Sequence, residues 1–319
     1  MKPYKFVPFL KSTIWGGEQI APFKCIHTDE TNIGESWEIS GVPGHESITA
    51  DRGLVNDVDL DMTLPALIDK YKGLLVGDKV YERFGNNFPL LVKFIDSRQD
   101  LSIQVHPDDE LAGKRHRCAG KTEMWYIIKA DEGAPIYAGL SKQITPEQYE
   151  KCVAENTIMD VIARHDSHAG DLFFLPAGRI HAIGAGNLLA EIQQTSDITY
   201  RVYDFGRRDA NGNTRELHTE LAKDAIDYKV YPEYRSSYDS TLPVAPLVEC
   251  PYFSVSRVVV QHAQQVDLHT DSFVIVVCLH GDANINGVKV HQGETLLVPA
   301  SENVLNIFGN ATFLTATIH

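Results

Sequence analysis

A chain of 319 residues, 43% hydrophobic and 23% charged, has the composition of a globular protein with one large domain or two ordinary ones. Its formal net charge of -14 argues against nucleic acid or an anionic membrane as partner, and no run of about 18 apolar residues offers a membrane span. Five scattered cysteines (Cys25, Cys118, Cys152, Cys250, Cys278), with no apolar leader after Met1-Lys2-Pro3-Tyr4-Lys5, read as free thiols in a reducing cytoplasm.

Residues 1–50 alternate short hydrophobic pieces with Gly, Pro and polar turns, as an all-β opening region does. Ser36, Glu38 and Ser40 share one strand face there, which reads as a solvent face at least as well as a site wall. The period then changes. Leu64, Leu67, Ile68 and Tyr71 recur at helical spacing, with Thr63 as N-cap and Pro65 in the first turn. Phe88–Ile95 returns to a strand and leads to Leu101-Ser102-Ile103-Gln104-Val105-His106-Pro107-Asp108-Asp109.

In an extended strand Ser102, Gln104 and His106 point one way, and Ile103 and Val105 the other. Pro107 ends the strand or lies at its edge. Residues 121–128 repeat the pattern, with Lys121, Glu123 and Trp125 on one face. A helical insertion follows. Thr145-Pro146-Glu147-Gln148 is a capping box, and Met159, Val161 and Ile162 suggest a second short helix. His165 and His168 after it read as solvated-loop residues among Arg164, Asp166 and Ser167. Gly170 and Gly178 bracket a short hydrophobic strand, and His181 follows the turn.

Two more strands fill 187–205, Asn211-Gly212-Asn213 marks a turn, and Leu217, Leu221 and Ala225 suggest a helix. Residues 230–248 lack periodicity and read as a linker or crossover. The boundary falls near 240, giving a unit of 1–240 and one of 241–319. The second unit is strand after strand and carries a faint repeat of the first. Gly170-Asp171…Pro176…His181 has the spacing of Gly293-Glu294…Pro299…Val304, and Glu123-Met124-Trp125 lines up with Asp271-Ser272-Phe273. Two jelly rolls of cupin type are expected, mainly β with short helical insertions, one with a metal site and one without. His262, His269, His280 and His291 do not repeat the strand-and-turn arrangement, so no second metal is expected.

Gln104, His106, Glu123 and His181 offer two nitrogens and two oxygens from three strands. Such a borderline set suits zinc, and also manganese, iron, cobalt or nickel. Each residue alone reads as structural; together on one cavity they read as a metal site.

These stretches, with Trp15-Gly16-Gly17, Gly34-Glu35-Ser36-Trp37-Glu38 and Glu191–Phe205, resemble type I mannose-6-phosphate isomerases of the short bacterial form. The likeness is strong over roughly residues 1–230. It implies one Zn2+ on Gln104, His106, Glu123 and His181, a catalytic Arg201, and phosphate held by Ser102 and Arg207. Lys121, on the face of Glu123, would bind substrate or assist proton transfer; Glu191 and a metal-bound water are further candidates for the base. The implied activity is aldose–ketose isomerisation of mannose 6-phosphate and fructose 6-phosphate through an enediol. The implied state is a monomer or weak homodimer whose partner is a small sugar phosphate. A cupin dioxygenase, or a non-catalytic sugar-phosphate-binding cupin, is the rival on the same fold. The first needs no phosphate clamp, and the second would show a broken metal set.

Overall fold

The computed structural model describes residues 1–208, 211–268 and 271–319; His269 lies outside them. Strand alternation sorts the described residues into three antiparallel sheets. The first has seven strands in the order Arg235–Ser236, Leu172–Leu175, Glu123–Ala130, Asn187–Gln194, Leu90–Ser97, Phe9–Gly17, Ile33–Ile39. The second has five: Tyr200–Tyr203, Ile103–Val105, His181–Ile183, Pro135–Leu140, Ile162–Asp166. These two face one another across a core that includes Trp125, Ile127, Phe173 and Leu189 from one sheet and Ile136, Ala138 and Ile183 from the other. They form the walls of the first barrel.

Each wall is covered on its outer face. Ile103, Val105, Ala182 and Tyr200 pack beneath Tyr149 and Ala222, which lie on the helices Pro146–Ala154 and Thr219–Ala225. Val92, Phe94, Met124, Tyr126 and Ile192 turn outward from the seven-stranded sheet toward the helices of 64–84 and the third sheet. That third sheet has eight strands and holds most of 244–317. Its own interior is apolar, filled by Val258, Val276, Ile285, Val298 and Phe313 among others. The strand Tyr4–Val7 is hydrogen-bonded into it, with Tyr4 opposite Leu297, so chain from both ends shares one sheet.

The local helix signals are realised. Thr63 Oγ1 accepts from Ala66 N, and Thr145 and Gln148 form both bonds of their capping box. Among the described residues no helix is long and apolar enough to cross a membrane.

Several details differ from the sequence reading. His165 lies in the strand Ile162–Asp166, donating from Nε2 to Ala138 O at 3.2 Å, with its ring against Phe173 and Tyr234; only His168 is exposed. The second short helix is one 3₁₀ turn, Ile158–Val161, and Ile162 already begins that strand. Leu217 precedes the helix Thr219–Ala225 and is exposed. Arg235–Ser236 and Val244–Glu249 put paired strand into the stretch read as linker. Ser36, Glu38 and Ser40 are buried, because Lys24 and Gly293 lie over Glu38. The repeat holds as a hairpin but shifts in register. Glu123 pairs with Leu175, and Val298, which stands where Leu175 does by the Gly–Pro spacing, pairs with Val274 rather than Asp271. The counterpart of the acidic residue is thus a core valine.

Candidate metal centre and sugar-phosphate cavity

Alternation also places the site. In Leu90–Ser97, Glu123–Ala130 and Asn187–Gln194, the residues between the outward apolar ones are Lys93, Glu123, Trp125 and Glu191, all buried on the barrel side. From the facing sheet Ser102, Gln104 and His181 converge, and His106 follows the end of its strand. Gln104 is directly opposite both His181 and Arg201 in the ladder. The turn before His181 is fixed by Gly178, whose φ of +88° favours glycine and whose N–H donates to His106 O at 2.9 Å. Lys121 N donates to Pro107 O at 3.1 Å, which ties the acidic strand to the histidine stretch.

His106, Glu123 and His181 bring their ligand atoms within 4.8 Å of one another, all buried. Each ring is oriented from behind: His106 Nδ1–H donates to Ile198 O at 2.8 Å, and His181 Nδ1–H to Arg179 O at 2.7 Å. Both Nε2 lone pairs therefore point into the centre, the arrangement that fixes metal-bound imidazoles, and His106 Nε2 accepts there from Lys121 Nζ at 3.1 Å. Gln104 Nε2 donates to His181 Nε2 at 3.3 Å, and turning the amide over presents Oε1 at the same place. Glu123 is the diagnostic residue. Neither carboxylate oxygen has an aligned hydrogen-bond donor, although Lys121 Nζ stands 2.9 Å from Oε2 and His181 Nε2 3.2 Å from Oε1. Lys121 compensates one oxygen of this buried carboxylate, and a divalent ion held with the two imidazoles would complete the other. Two imidazoles, a carboxylate and an amide fit a divalent metal.

The electrostatics agree. Burial raises the Glu123 carboxyl, but Lys121, His106 and His181 outweigh it and hold it well below the usual range. Burial and Lys121 push His106 well below the usual histidine value, which keeps its ring neutral. Glu191 goes up, through burial and the charge of Glu123; its Oε2 accepts from Trp125 Nε1 at 2.8 Å.

Beside this cluster opens a cavity of about 320 Å³, lined by Ser102, Gln104, Lys121, Glu191 and Arg201 among others. Arg201 Nε donates to Ser102 Oγ at 3.3 Å. Arg207 does not line the cavity. Its guanidinium is bound to Asp204 and to Asp100 O, while Arg215, which grips the same Asp204, does line it. Lys11, Glu35, Lys93, Arg215 and His218 are cavity residues not foreseen as site residues. Glu35 and Lys93 had a signal in strand alternation. Arg215 and His218 follow an irregular loop and had none.

The fold and the site define a cupin whose barrel carries a group of residues able to hold a metal, beside a cavity lined by more cationic than acidic side chains. A family model for the catalytic domain of type I phosphomannose isomerase matches residues 4–132, and one for the mannose-6-phosphate isomerase cupin domain matches 244–318. Mannose-6-phosphate isomerase ManA of Bacillus subtilis is 32% identical over 309 residues, covering 93% of each chain. The Streptococcus mutans mannose-6-phosphate isomerase is 33% identical over 90% of this chain and 89% of its own. The crystal structure of the Bacillus subtilis mannose 6-phosphate isomerase superposes with a TM-score of 0.87 at 29% identity, covering 99% of both chains. This chain belongs to the type I mannose-6-phosphate isomerase family.

Proposed function

We propose that the chain interconverts D-mannose 6-phosphate and D-fructose 6-phosphate through a cis-enediol, with one zinc ion on Gln104, His106, Glu123 and His181. The observation that carries the reading is the Glu123 carboxylate, buried without an aligned donor between two oriented imidazoles, at the wall of a cavity that also holds Arg201 and Ser102. When bound, the metal supplies Lewis-acid stabilisation of the charge that develops on the carbonyl oxygen.

The chain's own groups do the rest. Arg201 presents a fixed guanidinium to that oxygen or its neighbour, worth most where water is excluded. Lys121 binds the sugar hydroxyls near Glu123. The proton that moves between C1 and C2 is exchanged by Lys121 or Glu191, both on the cavity wall. Ser102 takes the phosphate end. Arg215 joins it at the wall, with Arg207 one step behind on the shared Asp204. These cations oppose the diffuse acidic surface at short range. Residues 1–240 form the catalytic unit and 241–319 the metal-free one, in a cytoplasmic monomer or weak homodimer.

The test is a coupled isomerase assay on mannose 6-phosphate, with chelator and then zinc added back. Chelator-sensitive turnover restored by zinc supports the reading. No turnover by the zinc-loaded chain refutes it.

A further inference from the structure

Arg201 lies on Tyr200–Tyr203, an edge strand of the five-stranded sheet, with Gln104 directly across its inner side. An edge leaves backbone groups on its outer side without ladder partners. At Arg201 both are taken by one residue. The Arg201 N–H donates to His218 Nδ1 at 3.0 Å, and the His218 N–H donates to Arg201 O at 2.7 Å. Arg201 Nη1 donates to Glu216 O at 3.0 Å, so the same short segment also holds the guanidinium. The ladder register breaks immediately after Arg201, which leaves this clamp to set the residue's place.

His218 stands at the N-cap of Thr219–Ala225, a position where Ser, Thr, Asp or Asn would cap the helix. It makes no capping bond with its side chain. The ring is turned to Arg201 instead, and the helix gives up a cap for that contact. Because Nδ1 accepts, the ring proton is on Nε2, and the residue lines the cavity. Burial, partly offset by Glu216 and reinforced by Arg201, keeps the ring below the usual histidine value and so in this neutral form.

We propose that His218 is a positioning residue for Arg201, whose backbone it clamps through Nδ1 so that the guanidinium meets the substrate in one place. The proposal rests on the reading of Arg201 given above.

The test compares H218A, H218S and H218N in isomerase kinetics, thermal unfolding, zinc content and amide exchange at Arg201. H218A and H218S are expected to lose roughly tenfold in kcat, with KM within about threefold and zinc content unchanged. Serine, a good N-cap, should nevertheless restore the unfolding temperature. Asparagine, whose Oδ1 can stand near the Nδ1 position, should regain most of kcat. The proposal is overturned by H218N no better than H218S, by activity that follows unfolding temperature across the three, by a loss confined to KM, or by wild-type rates in H218A. If the zinc-loaded wild type turns over no mannose 6-phosphate, the isomerase reading falls instead. The clamp is then judged by exchange at Arg201, faster in H218A and H218S but not in H218N; equal exchange in all overturns it.

Discussion

Replacing Lys24 with methionine breaks a buried pair whose lysine also bonds the carbonyl of Gly293. Lys24 Nζ lies 2.6 Å from Glu38 Oε1 and donates to Gly293 O at 2.5 Å, and both charged side chains are 4% exposed. Removing one partner of such a pair costs about 3–5 kcal/mol, because the other charge stays buried and uncompensated. Glu38 can escape part of this by taking a proton. Burial already raises its carboxyl despite Lys24 and Ser36, and without Lys24 it rises further. A folded-state pKa above the unfolded one means that the folded state binds more protons, so stability falls as pH rises through that interval. K24M should therefore be destabilised by about 3 kcal/mol near pH 8 and by clearly less near pH 5. The double variant K24M/E38L, which removes both charges, should recover more than half of the loss. Urea unfolding at the two pH values measures all three. A loss under about 1 kcal/mol at both, or one that grows on acidification, would refute the reasoning.

Three further outcomes are expected. Chelation should lower the unfolding temperature and zinc restore it, since a metal at about a thousandfold its Kd adds about 4 kcal/mol to the folded state; E123Q should not respond in a thermal shift assay. R201A should lose about 10²–10³-fold in kcat while keeping its zinc, and R201K should recover little because lysine lacks the planar fork; steady-state kinetics with metal analysis decides. Glu35 gives an acid limb. Burial raises its carboxyl, but Lys93, Lys11 and the Trp37 indole hold it at about 2 against an ordinary 4.5. That stability is present above pH 4.5 and lost as pH falls toward 2, so E35Q should flatten about 3 kcal/mol of the acid unfolding profile measured by circular dichroism.

The parts of the site readable from sequence are those governed by period two. Ser102, Gln104 and His106, and Lys121 with Glu123, were placed on single faces by alternation alone, and the structure turns those faces into the barrel. Thr63 and Thr145 were readable because a cap is decided within four residues. What escaped depends on distant partners. Ser36, Glu38 and Ser40 look like a solvent face until Lys24 and Gly293 cover them. Nothing local in Tyr4–Val7 says that its partner is Thr295–Val298. His165 was set in a loop by its polar neighbours, yet pairing with Pro135–Leu140 makes it strand. Arg215 and His218 reach the cavity through a loop whose path no periodicity encodes.

The two barrels show two ways of keeping walls apart at a fixed distance. In the second, valines and phenylalanines occupy the middle, and the walls rest on solid filling. In the first, part of that filling is given up, and Glu123 from one wall meets Gln104 and His181 from the other, with the Lys121 ammonium beside Glu123 and His106. An ion bound by these residues would be a rivet between sheets as well as a reagent. The hollow barrel should be the part of the molecule that loosens when the rivet is drawn. The solid one beside it, sharing a buried core with the outer face of the hollow barrel, keeps that loosening from spreading. A filled neighbour thus lets an enzyme of this kind carry an opening at its centre.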